Sequence, residues 1–147
     1  MGFYVTLTNS SAILPKEHQE QAYKILCDLN NRNDLKSGGG NPRPDNLPED
    51  KPHEYTWFSW MPWNYHETCK NVQEIFEELG FDIAEDLNDN ISFLNYDSKT
   101  GEEGDFFEAI AHLMTGHMDW CGEDDSHWRW EFSPSGLELK WGEIVYV

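Results

Sequence analysis

Positive charge is scarce in this chain: ten Lys and Arg stand against 28 Asp and Glu, a formal net charge of −18. The deficit is uneven. Residues 1–40 are balanced, residues 41–60 sum to −2, and residues 61–147 sum to −16. A field of that sign repels phosphate, which excludes direct binding to nucleic acid or to an anionic membrane and favours basic partners. An acidic surface also keeps a small protein soluble, so the charge by itself selects no partner.

Other absences narrow the field further. No apolar run approaches the roughly 18–20 residues of a membrane span. The opening Met1-Gly2-Phe3-Tyr4-Val5 has no basic stretch ahead of an apolar one, so no secretory leader is expected. The three cysteines, Cys27, Cys69 and Cys121, are widely separated and form no C-x-x-C pair. They read as reduced thiols in an intracellular setting, with Cys27 and Cys69 on the apolar faces of expected helices.

Catalytic signatures are missing too. There is no Gly-x-Ser-x-Gly and no context for a Cys–His nucleophile. Ser37-Gly38-Gly39-Gly40 lacks the Lys-Ser/Thr of a phosphate loop, and Gly122-Glu123-Asp124-Asp125 lacks the alternating Asp residues and distal Glu of a calcium loop. One strand face does mix donor types: His117, Asp119 and Cys121, with His127 opposite. Nitrogen, oxygen and sulphur ligands of this kind hold a transition metal at about 2.0–2.3 Å. Against this, Arg129 and Glu131 fall opposite Asp119 and His117, and the spacing matches no zinc signature. We therefore expect no metal, cofactor or catalytic residue. A small metal-dependent enzyme or metal-binding protein using those four side chains is the alternative.

What the chain has in quantity is aromatic residues, 14% of the whole, including seven tryptophans. At 147 residues it is about one domain, large enough to bury roughly two-thirds of its unfolded surface. Four tryptophans fall in His117–Val147, which reads as three antiparallel strands. The loop Gly122–Ser126 sets Cys121 opposite His127. In that register Met118, Trp120, Trp128 and Trp130 share one face, and Asp119 meets Arg129 on the other. A slip of one residue would drop Asp119 among the tryptophans, so charge and pattern select one pairing. The turn Ser133-Pro134-Ser135-Gly136 then sets Trp130 opposite Leu139 and Trp128 opposite Trp141, and all four of Trp120, Trp128, Trp130 and Trp141 are expected in the core.

Upstream, Phe3–Thr8 alternates as a strand. Pro15 suits the first position of a helix running to Asn31, with Ala22, Ile25, Leu26 and Leu29 as its apolar stripe. Residues 33–53 hold three glycines and four prolines and read as one long loop, functional or mobile. His53–Trp63 reads as a strand whose Tyr55, Trp57, Trp60 and Trp63 cannot all face inward. Asn64-x-x-Glu67 reads as a capping box for a second helix carrying Cys69, Val72, Ile75, Phe76 and Leu79, with Gly80 as its C-cap. Phe81–Leu87 and Ile91–Tyr96 flank a hairpin turn at Asn88-Asp89-Asn90. Asp105 is expected to cap a third helix with Phe106, Ala109, Ile110 and Leu113 inward, ending at Gly116. The sum is a single α+β domain over residues 1–147, with a largely antiparallel sheet, three helices and a C-terminal three-stranded meander.

Two features suggest a binding surface. Trp57 and Trp60, beside the Pro/Gly loop, are candidates for exposed aromatic anchors. Glu74, Glu77 and Glu78 should line the outer face of the second helix, followed by Asp82, Glu85, Asp86 and Asp89. Glu102, Glu103, Asp105 and Glu108 surround the start of the third. Carboxylates so arranged can occupy a basic, nucleic-acid-binding groove on another protein.

The chain also resembles a group of small bacteriophage and prophage proteins. The likeness lies in Ile13-Leu14-Pro15, Lys36-Ser37-Gly38-Gly39, Trp57-Phe58-Ser59-Trp60-Met61, Leu79-Gly80-Phe81, Tyr96-Asp97-Ser98-Lys99-Thr100-Gly101, and Gly122-Glu123-Asp124 with Trp128-Arg129-Trp130. The group has no assigned catalytic residues to carry over. The resemblance implies a phage accessory protein in the cytoplasm of an infected bacterium. Together with the charge, it implies a protein that binds and inhibits a host defence or nucleic-acid-handling complex, with nucleic-acid mimicry as one mode.

Overall fold

Val5 and Leu7 are buried while Tyr4 and Thr6 are exposed, and this period of two makes Tyr4–Ser10 the strand β1. A computed structural model describes residues 3–36, 56–58, 60–100 and 103–142, and β1 is one of the three interior strands of its larger sheet. The chain then turns into the short β2 (Ile13–Leu14) and the helix α1 (Lys16–Leu29), where Pro15 stands at the N-cap with φ −62° instead of inside the first turn. One 3-10 turn, Asn33–Leu35, opens the expected long loop. From Ser37 to Tyr55 that loop lies outside the described residues.

The expected strand at His53–Trp63 does not form in its described part. Thr56–Phe58 and Trp60–Trp63 run through bends and turns. The aromatic side chains dock separately instead of alternating: Trp57 Nε1 donates to Asn30 Oδ1 at 3.1 Å, and Trp60 Nε1 donates to the Leu79 carbonyl at 3.0 Å. Pro62, with no N–H, also suits a sheet interior poorly.

The expected second helix is two. A single turn, α2 (Tyr65–Thr68), is broken at Cys69, and α3 (Val72–Leu79) starts afresh. Asn71 Oδ1 accepts from Glu74 N at 3.0 Å, and Glu74 Oε1 accepts from Lys70 N at 2.8 Å. The side-chain cap thus sits at Asn71, while Asn64 makes no such bond. Gly80 ends α3 at φ +111°, as expected of a left-handed C-cap. Strands β3 (Asp82–Glu85) and β4 (Ile91–Asn95) form the expected hairpin. After β5 (Asp97–Lys99), the helix α4 (Glu103–Ile110) places Asp105 in its first turn and not at the cap. Its end tightens into a 3-10 turn, Ala111–Leu113; with the second helix divided in two, the described residues hold four α-helices where three were expected.

The meander β6 (Gly116–Gly122), β7 (His127–Ser133) and β8 (Gly136–Gly142) has the expected register throughout: Asp119 faces Arg129, His117 faces Glu131, Trp128 faces Trp141, and Trp130 faces Leu139. Gly116 opens β6 instead of closing the helix, at φ +86°; a Cβ there would lie 2.2 Å from the Ser11 carbonyl oxygen, so only glycine lets the two segments touch.

Among the described residues all strand pairings are antiparallel, in a five-stranded sheet ordered β5-β1-β6-β7-β8 and a three-stranded sheet ordered β2-β4-β3. The core joins them. Phe76, Phe81, Phe93, Phe107 and Trp120 interlock mostly edge to face, with centroids 4.8–6.1 Å apart. Such pairs contribute about 0.5–1.5 kcal/mol each beyond their buried area. Trp120 and Trp130 are buried as expected. Trp141 is not: it is 72% exposed on the edge strand β8, and Trp128 beside it is half-buried. Alternation assigns a residue to a face of the sheet, but the helices cover only part of that face.

Candidate functional site

Helix α3 packs Val72, Ile75, Phe76 and Leu79 into the core, which turns Glu77 and Glu78 outward to solvent. At its C-terminal end Gly80 redirects the chain into β3, where Asp82 and Glu85 are exposed. The hairpin tip follows with Asp86, Leu87 and Asp89, and Leu87 is fully exposed. Gln73 Nε2 donates to Glu85 Oε1 at 3.1 Å, tying the helix to the strand as one surface. Asp86 shapes the tip: its Oδ1 accepts from the backbone N–H groups of Asn88 and Asn90, and Asn90 Nδ2 donates to its Oδ2. Those bonds hold its carboxyl below the usual carboxylate range, so it stays ionised in mild acid. Trp60 lies at the other end of this surface, 39% exposed, stacked on Phe58 at 4.8 Å and bonded to Leu79.

Five of the expected contact residues (Glu77, Glu78, Asp82, Glu85 and Asp86) are therefore exposed on the consecutive elements α3, β3 and the hairpin tip, with Trp60 partly exposed beside Leu79. Glu74 is half-buried and serves the start of α3. Two candidates are corrected. Trp57 is 1% exposed, packed edge-on against Phe106 at 4.9 Å, and belongs to the core. Glu103 is 4% exposed and accepts from the Thr100 hydroxyl at the start of α4. Tyr55 and Glu102 lie outside the described residues.

No ion pair among the described residues reaches the five carboxylates. Five described cations are engaged with other carboxylates: Lys16 with Asp89 at the hairpin tip, Lys24 with Glu20, Arg32 with Asp34, Arg129 with Asp119, and Lys140 with Glu131. Sequence reasoning missed Leu87, whose apolar side chain read as the end of a strand and instead projects from a turn.

The metal alternative meets a different geometry. Asp119 commits both carboxylate oxygens to Arg129, at 2.6 and 3.0 Å, and this bond holds its carboxyl below the usual range. His117 Nδ1 bonds with the Ser11 hydroxyl at 2.9 Å, and the Cys121 thiol donates to the Gly122 carbonyl at 3.4 Å. Cys121 and His127 are register partners, but among the described residues no three His, Cys, Asp or Glu side chains converge to hold a metal ion. This outer sheet face is a lattice of ion pairs running Asp119–Arg129–Glu131–Lys140 across three strands. Among the described residues no helix is long and apolar enough to cross a membrane.

No protein-family model, no curated protein and no solved structure matches this chain.

Proposed function

We propose that this is a non-catalytic binding protein of the phage accessory type, acting in the cytoplasm of an infected bacterium. It inhibits a host defence or nucleic-acid-handling complex by setting carboxylates where that complex holds phosphates. The observation that carries this reading is the set of exposed carboxylates Glu77, Glu78, Asp82, Glu85 and Asp86, which no ion pair among the described residues reaches, in a chain of net charge −18. Lys and Arg of a partner would neutralise these groups and release the ions around both surfaces, the physics of DNA binding with the roles exchanged. Trp60 and Leu87 add apolar contact at the two ends of the face.

The test is competition. A complex captured from host lysate should lose its nucleic acid as this protein is added. Its affinity for the protein should fall steeply between about 0.05 and 0.5 M salt as the screening length shortens. Reversing Glu77, Glu78 and Glu85 together to Lys should weaken binding by about a hundredfold at low salt, on the scale of about 1 kcal/mol for each charge met by a partner. Affinity unmoved by salt and by the triple reversal would end the electrostatic account.

A further inference from the structure

Strand β8 ends the five-stranded sheet, and among the described residues no strand pairs with its outer side. Exposed edges of this kind are normally short, bulged, charged, proline-bearing or covered, because they offer free N–H and C=O groups to another chain; of these devices β8 has, among the described residues, only its charges, Glu138 and Lys140. Here the edge is seven residues, Gly136-Leu137-Glu138-Leu139-Lys140-Trp141-Gly142, paired with β7 in unbroken register. Its apolar residues are displayed, with Leu139 47% and Trp141 72% exposed.

Which backbone groups are free follows from the turn. Ser133 and Gly136 are register partners across the two residues Pro134-Ser135. A pair closing so short a turn bonds through its own N–H and C=O groups. Bonded and non-bonded pairs alternate along an antiparallel ladder, so Glu138, Lys140 and Gly142 also bond to β7. The backbones of Leu137, Leu139 and Trp141 therefore point outward.

The geometry points to a symmetric dimer in which β8 pairs antiparallel with β8 of a second copy about Leu139. That register sets Leu139 against Leu139 of the partner subunit and Leu137 against Trp141 of the partner subunit, each through outward-facing backbone groups. It also sets Glu138 against Lys140 of the partner subunit in the intervening non-bonded pair, where side chains come closest. The axis stands perpendicular to the sheet, so the apolar side chains of both copies meet on one face and the charges on the other. A one-residue shift loses both matches: it takes the outward backbone groups out of phase and breaks the pairing of opposite charges. Lys140 already bonds Glu131 at 2.8 Å, so the second copy's Glu138 extends the ion-pair lattice across the junction. The inference is independent of the acidic face, which lies on α3, β3 and their hairpin.

The test uses the full chain under reducing conditions, with mass read by sedimentation across concentration. A monomer–dimer equilibrium is expected, tightening as salt rises from about 0.05 to 0.3 M because two copies of charge −18 repel over the screening length. This is the opposite trend to partner binding, so the two proposals fail separately. Glu138→Lys or Lys140→Glu alone should weaken the dimer at least tenfold by opposing like charges, and the double exchange should restore it. Leu139→Pro removes an outward N–H without costing a bond to β7, so it should give a monomer with unchanged circular dichroism. A chain that stays monomeric throughout overturns the proposal. So does a dimer that ignores both single charge exchanges and Leu139→Pro.

Discussion

One side chain, Asn30, joins two parts of the molecule that sequence reasoning treated separately. It is fully buried, follows the last turn of α1, and uses both ends of its amide. Nδ2 donates to the Trp63 carbonyl at 2.8 Å and bonds with His66 Nδ1 at 2.7 Å, while Oδ1 accepts from Trp57 Nε1. Its own carbonyl accepts from Lys36 Nζ at 2.7 Å. A buried donor or acceptor left without a partner costs about 1–3 kcal/mol, and Asn30→Ala strands at least two. We expect that substitution to lower stability by about 2–5 kcal/mol in urea unfolding, with the emission of Trp57 moving to the red. A loss below about 0.5 kcal/mol would mean water replaces the amide without difficulty.

Elements differ in how openly their residues announce them. The β6–β7 register was legible because its two faces differ in kind. Met118, Trp120, Trp128 and Trp130 cannot exchange places with Asp119 and Arg129. The break between α2 and α3 was hidden for the converse reason: Cys69, Val72, Ile75, Phe76 and Leu79 keep helical spacing across it, so the apolar pattern shows no gap. Two Asn-x-x-Glu sequences were available, at Asn64 and Asn71, and only the backbone conformation selects the second. Asn71 has the extended N-cap conformation, φ −152° and ψ 172°, which aims its side chain at the first turn; Asn64 does not. Replacing Asn71 by Ala should therefore cost about 0.5–2 kcal/mol, against less than about 0.5 for Asn64→Ala. Equal losses in the two variants would show that α2 and α3 behave as one helix in solution.

At the scale of the whole molecule, the fold class and the exposure of Glu77, Glu78, Asp82, Glu85 and Asp86 follow from composition and pattern, whereas burial of the aromatic residues depends on what covers a surface. Trp57, expected at a contact surface, is inside, and Trp141, expected in the core, is outside. No local pattern reveals that Asn30 receives the first or that the edge strand leaves the second 72% exposed. Charge acts at this scale as well. Because Arg129 lowers the carboxyl pKa of Asp119 in the folded state, its stabilising contribution is complete above the unfolded value of about 3.9 and is lost as pH falls through the folded one. The stability gap between the wild-type chain and Asp119→Asn, read by denaturant titration, should be constant near neutrality and shrink below about pH 4. A gap that persists unchanged to about pH 2 would mean the pair is not what Asp119 contributes.

The tether at Asn30 also bears on how this protein can be rebuilt. Lys36 and Trp57 flank residues 37–55 and are brought side by side, with Lys36 Nζ 5.9 Å from the Trp57 ring. The two ends of any insert between them are therefore held close together. Joining entropy grows only logarithmically with the length of an insert, about 0.6 kcal/mol for each doubling. A reporter domain or affinity handle grafted there should therefore leave the Lys36–Trp57 contact in place, with the stability of the insert-bearing chain as the check.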